Sequence, residues 1–111
     1  MIEKVYVTNR CPIRTTLELT GGKWKLLILS QLFQKSLRLS ELKASIPDIS
    51  EKMLIQELKT LVESGMVLRT NYGEVPPRVV YSLTRVGEAT KPLIAAMKDF
   101  AEAYEQQLKE R

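Results

Sequence analysis

With 111 residues, 44% of them apolar and 27% charged, the chain suits one folded domain that buries a core without a disulfide or metal staple. A single cysteine excludes an internal disulfide and fits a reducing compartment, while the absence of histidine removes the commonest general base and zinc ligand. The formal charge of +4 favours an anionic partner only weakly, and its cations (Lys4, Arg10, Arg14, Lys23, Lys25 and Lys35 in the first third) must be sorted onto one face by folding.

In chain order, the start from Met1 to Val7 lacks the apolar stretch of a signal peptide, and no apolar run approaches the ~20 residues needed to span a bilayer. The expectation is a cytoplasmic protein with no membrane partner. Pro12 at a first helical position predicts a helix to about Leu19, ended by Gly21-Gly22. A second helix follows over about Lys23–Phe33, with Trp24, Leu27, Ile28, Leu29 and Leu32 as its buried face. Arg38-Leu39 reads as a very short strand. Ser40 reads as the N-cap of a third helix reaching about Ser45, which Pro47 terminates.

Ser50 caps a fourth helix through Met53, Leu54, Leu58, Leu61 and Val62 to a stop at Gly65. The period then changes to that of strands. Met66–Tyr72 and Val79–Leu83, joined by a Gly- and Pro-bearing loop over residues 73–78, form a hairpin. Thr84 caps a last helix, within which Pro92 predicts a kink or a short preceding turn. Leu93, Met97, Phe100, Tyr104 and Leu108 recur along it as one apolar stripe.

Two helices joined by a tight turn, followed at once by a hairpin, make a winged helix-turn-helix, an α+β fold that is mainly α. The expected plan is a single domain over 1–111, with the helix-turn-helix at about 40–64, the wing at about 66–84 and a dimerisation helix at about 85–110. The second helix of such a unit enters the major groove of DNA. Its outward positions here are Ser50, Lys52, Gln56 and Lys59, with Ile55 at the boundary. Gln reads adenine edges, Lys reaches guanine or phosphate, and the N–H groups beside Ser50 face an anion. Arg38, Lys43, Arg69 and Arg78 are the candidate phosphate contacts, with reach into the minor groove as the alternative for Arg69 and Arg78, and Pro76-Pro77 stiffens the wing. Tyr72 fits either a backbone contact or packing under the wing, and Trp24 reads as core. An amphipathic helix with an ordinary solvated face explains the same pattern residue by residue, so the constellation and not any one side chain carries the reading.

Three motifs in register carry a family resemblance: Cys11-Pro12-Ile13 followed by Gly21-Gly22-Lys23-Trp24; Ile49-Ser50-Glu51-Lys52-Met53-Leu54 followed by Glu57-Leu58; and Glu74 to Thr84 (EVPPRVVYSLT) followed by Gly87. Together they resemble the HxlR-type regulators over about residues 10–108. The resemblance implies a MarR-like winged helix, dimerisation through the terminal helices, control of transcription at promoters and no catalysis. It leaves the effector open.

No phosphate loop, nucleophile elbow or carboxylate cluster is visible, so neither an enzyme nor a bound cofactor or metal is expected. The competing reading is a winged-helix protein–protein interaction module without DNA binding. Two further expectations concern assembly and control. The stripe Leu93, Met97, Phe100, Tyr104 and Leu108 exposes too much apolar surface for a monomer, so a homodimer on a pseudo-palindromic operator is expected. Cys11, a candidate N-cap between Arg10 and Arg14, fits a redox-sensing thiolate of the kind some HxlR-type members use, or a small packing residue.

Overall fold

A computed structural model describes residues 3–110; Met1, Ile2 and Arg111 lie outside the described residues, so part of the start read for a leader does too. Six helical segments and one hairpin follow in order among them: α1 (Pro12–Thr20), α2 (Lys25–Gln31), α3 (Leu39–Ser45), α4 (Glu51–Glu63), β1 (Val67–Asn71), β2 (Val79–Leu83), α5 (Arg85–Glu88) and α6 (Lys91–Lys109). This is the expected mainly α winged helix-turn-helix. None of the described helices is long and apolar enough to cross a membrane.

The core forms where α2, α3 and α4 meet the base of the hairpin. Ile28 and Leu29 of α2, Leu42 of α3, Leu54, Leu58 and Leu61 of α4, and Met66 and Val67 are all essentially solvent-free. Helices this short are marginal by themselves, so packing of their apolar sides is what keeps them helical. The segment Ile46-Pro47-Asp48-Ile49 makes the turn of the helix-turn-helix, with Ile46 and Ile49 buried as its anchors. Gly65, at φ +81°, ends α4 in the left-handed conformation that glycine adopts without steric penalty, and the Met66 N–H reaches back to Leu61 O at 3.0 Å. β1 and β2 then pair antiparallel, Val67 opposite Leu83 and Asn71 opposite Val79.

Four expectations need correction. Helix α2 is shorter than Lys23–Phe33. It opens after Trp24, which offers no side-chain cap and instead packs its ring on the core, and it closes in a tight turn with Leu32 N–H on Leu29 O at 3.1 Å. Within α2, Leu27 faces outward at 45% exposure, because the core is reached by Ile28 and Leu29 and by the half-buried Leu26. The short strand at Arg38-Leu39 is a single bridge one residue earlier, where Leu37 and Tyr81 exchange backbone bonds of 3.0 and 2.8 Å. Ser40 does not cap α3. The Glu41 carboxylate accepts from the Arg38 N–H at 2.8 Å, which makes Arg38 the cap and Leu39 the first helical residue.

Past the hairpin, Pro92 falls at the start of α6, and the short α5 precedes it. Thr84 joins these parts. Its Oγ1 donates to Gly65 O at 2.6 Å and accepts from Gly87 N at 3.1 Å, while its own N–H reaches Met66 O at 3.2 Å. Gly87 is buried against that Met66 carbonyl, and a methyl group there would collide with it. Gly87→Ala is therefore expected to push α5 off the base of the hairpin and destabilise the fold by roughly 1–3 kcal/mol. Urea unfolding of the two proteins checks this; an unchanged midpoint would contradict the close contact.

Candidate nucleic-acid interface

Helix α4 is built to present one side. Ser50 Oγ accepts from the Met53 N–H at 3.1 Å and satisfies a donor that the helix start leaves unpaired. Leu54, Leu58 and Leu61, spaced four and three apart and each at most 1% exposed, face the core, and Val62 packs at its edge. Helical geometry then dictates the rest. Lys52, Ile55, Gln56 and Lys59 are exposed, Ile55 at 49%, on the side away from the body.

The hairpin extends this surface. Arg69 is exposed on β1 opposite Tyr81. A hollow of about 220 Å³ between α4 and the hairpin is lined by the apolar Ile55, Leu58 and Val62, by Tyr81, and by Lys59, Glu63 and Arg69, so a cation of the helix and one of the wing border one concavity together with a carboxylate. At the tip, Asn71 Oδ1 accepts from Gly73 N at 2.9 Å, and Tyr72 N donates to Arg78 O at 3.0 Å. The Arg78 guanidinium lies 4.1 Å from the centre of the Tyr72 ring, and its Nη1 is 3.7 Å from Glu74 Oε1. Tyr72 is thus half-exposed and serves as a platform that orients Arg78. Glu74 is already beside the cation that an outside phosphate would seek.

The two α3 cations stand apart from this hollow. Arg38 is exposed at the N-cap, and Lys43 is half-buried with its amine donating to Pro47 O at 3.2 Å across the helix-turn-helix turn. Lys43 therefore fastens the turn that sets α4 against α3.

Cys11 caps α1 as its position before Pro12 anticipates: Sγ accepts from the Arg14 N–H at 3.5 Å, and the residue is 4% exposed. That backbone N–H is the main reason the thiol is held below the ordinary thiol range. The backbone groups of Thr8 and Ile13 and the Arg14 charge add to it, and burial opposes it.

Two contacts have no counterpart in the sequence reading. The stacking of Arg78 on Tyr72 follows from the hairpin closing their part of the loop, a pairing visible once both strands are placed. The ion pair between Lys25 of α2 and Glu57 of α4, at 2.8 Å, joins residues far apart in the chain and leaves no local signal.

On the last helix, Met97, Phe100, Tyr104 and Leu108 are 44–73% exposed, and α6 contains no buried residue. Leu93 differs from them. It is half-buried and lines a hollow of about 270 Å³ with Thr16 and Leu19 of α1 and with Met66 and Val86. On α1, Ile13 and Leu17 add exposed apolar surface of 56% and 60%.

Comparison with known proteins places this arrangement. The HxlR-like helix-turn-helix family profile matches residues 19–109. The chain is 45% identical over 97 residues to the HTH-type transcriptional regulator YkvN of Bacillus subtilis strain 168, covering 87% of this chain and 82% of that one. It superposes on the structure of a transcriptional regulator assigned to the MarR family from Porphyromonas gingivalis W83 with a TM-score of 0.83, at 44% identity and covering 89% and 97% of the two chains. The reduced form of the redox regulator HypR matches with a TM-score of 0.82, at 34% identity and covering 90% and 99%. The chain belongs to the HxlR-like helix-turn-helix family, whose members are transcription regulators of the MarR-like winged-helix fold and not enzymes.

Proposed function

We propose that residues 1–111 form a single DNA-binding unit that acts as a homodimer, inserting α4 of each protomer into the major groove of a pseudo-palindromic operator in double-stranded DNA. The observation that carries this reading is the outward side of α4, where Lys52, Gln56 and Lys59 are exposed along a helix whose other side buries Leu54, Leu58 and Leu61 in the core. Lys52 and Gln56 read base edges; Ser50 and Lys59 hold the start and flank of the helix on the backbone. Arg69 and Arg78 bring the hairpin onto the neighbouring phosphates; Arg38 and Lys43 are the further phosphate candidates, Lys43 through the donors its bond to Pro47 leaves free. The exposed α6 stripe of Met97, Phe100, Tyr104 and Leu108, continued by the half-buried Leu93, is the dimer seam, and α1 supplies its second side.

Two-fold symmetry then relates the recognition helices, and their separation must match half-sites about 34 Å apart. Light scattering at micromolar concentration is expected to give twice the chain mass. DNA affinity measured by fluorescence anisotropy is expected to fall about 10³-fold or more between about 50 and 200 mM salt, because two protomers bring several cations to phosphate. Arg78→Ala lowers binding to every duplex alike, whereas Gln56→Ala removes about 1–3 kcal/mol of discrimination at a particular base pair. A monomer in solution would remove the seam. Affinity independent of salt would leave an interaction module in place of a DNA reader.

Responsiveness to redox or electrophile signals is the finer part of the proposal, with Cys11 as the sensing thiol. It is supported by the N-capped thiol and by the likeness to HypR, which is described as a redox regulator in oxidised and reduced forms. Because Cys11 is the single cysteine, the signal would be carried by an electrophile adduct, or on oxidation by a mixed disulfide with a small thiol or a bridge between subunits. Its lowered pKa means the folded state favours the thiolate. The resulting stability is complete above the thiol pKa of the unfolded chain and is lost as pH falls through the lower folded value. Alkylation of Cys11 by iodoacetamide, normalised to its plateau, is expected to show a pH midpoint below that of the urea-unfolded chain. A midpoint at or above the unfolded one would exclude the thiolate, and operator binding unchanged after confirmed modification would exclude the switch.

A further inference from the structure

The Lys25–Glu57 pair sits at the joint between the scaffold helix α2 and the DNA-facing helix α4. Its side chains are each 17% exposed, and the amine and carboxylate oxygen meet at 2.8 Å. Glu57 Oε2 is removed from solvent and has no aligned hydrogen bond among the described residues, so the Lys25 charge is what compensates it. Ion pairs taken this far out of water add little to folding stability, since the loss of hydration offsets their attraction. Removing one partner is a different matter, because it strands the other charge.

We propose that Lys25 and Glu57 are positioning residues that set the rotation of α4 about its own axis and so determine which base edges Gln56 and Lys52 reach. The inference rests on the reading of α4 as the DNA-contacting helix. The rest of the core that α2 and α4 share is apolar, with Ile28, Leu29, Leu54, Leu58 and Leu61 in one buried cluster, and apolar burial is non-directional, so it prefers no angle as sharply as a short ion pair does. A short charge contact held largely out of water does prefer one angle. Side chains reach about 5–6 Å from a helix axis, so a turn of about 20° displaces their tips by about 2 Å. The useful range of a hydrogen bond is only about 0.5 Å wide. Gln56 directly precedes Glu57, so anchoring the carboxylate on α2 fixes the backbone that carries the proposed base-reading amide. Helix α2 also packs against α6, so the same pair ties the reading helix to the element proposed to set dimer geometry.

The test uses the full chain and two duplexes: one selected by the wild-type protein from a randomised pool, and the same bases in scrambled order. The double variant Lys25→Met/Glu57→Leu replaces the pair by apolar groups of similar shape. It is expected to keep the thermal midpoint and the dimer while its preference for the selected duplex falls about tenfold or more, the equivalent of one lost bidentate base contact. The charge-reversed variant Lys25→Glu/Glu57→Lys is expected to recover much of that preference. Taking the ratio of the two affinities removes the effect of a relocated charge on general DNA attraction. An apolar variant that discriminates as well as the wild type overturns the proposal. So does an apolar variant whose loss of preference follows a loss of folding while the charge-reversed variant, folded normally, stays unselective. If the wild type selects no sequence from the pool, the DNA reading itself falls, an outcome separate from both.

Discussion

The packing of Leu54, Leu58 and Leu61 of α4 on Ile28 and Leu29 of α2 governs the rest of the molecule. Three leucines on one side of a thirteen-residue helix decide which side it buries, and that choice turns Lys52, Ile55, Gln56 and Lys59 outward together. Truncating any one of the leucines would forfeit about 2–5 kcal/mol, a large part of the stability of a small domain. The chemistry of the outward side therefore depends on the apolar side, and the ion pair of Lys25 with Glu57 adds an angular preference that leucines lack.

The hairpin is attached to the same core by its base. Gly65 halts α4, Met66 and Val67 are buried immediately after it, and Thr84 bonds back to Gly65 and forward to Gly87. The strands are thus rooted where α4 ends, and Arg69 borders the hollow that Ile55 and Lys59 also line. At the far end the tip has few buried contacts, and its order comes from the Asn71 turn and from Arg78 held between Tyr72 and Glu74. A rooted base with a lightly held tip suits an arm that adapts to a backbone while keeping its distance from the reading helix. Beyond Leu93, the α6 stripe of Met97, Phe100, Tyr104 and Leu108 stays largely exposed among the described residues, and its aromatic residues are what the proposed second copy would cover.

Periodicity made most of this legible. The leucine spacing of α4, the change to strand period after Gly65 and the Ser50 cap each depend on neighbours in sequence, and all three appear where the pattern places them. The misreadings share a cause of another kind. Leu37 pairs with Tyr81, Trp24 packs on the core ahead of a helix that starts two residues later than expected, and Leu27 is left outside while Leu26, Ile28 and Leu29 reach the core, all set by where distant residues lie. The Arg38 cap was obscured because Ser40 is the better capping residue, yet the Glu41 carboxylate selects the start by bonding the Arg38 N–H. Among the candidate site residues, exposure on α4 was readable from the helical period. The fastening of Lys43 to Pro47 and the stacking of Arg78 on Tyr72 needed the three-dimensional arrangement.

One side of α4 is proposed to face DNA because the other side is committed to the core. NMR of the side-chain resonances of the protein titrated with its selected duplex tests this most directly. Side chains at Lys52, Ile55, Gln56 and Lys59 and the wing at Arg69 and Tyr72–Arg78 are expected to show the large shifts and intermolecular contacts, with those of Leu54, Leu58 and Leu61 little changed. Contacts from DNA to a different surface, or shifts concentrated at the leucines as α4 leaves α2, would contradict the account.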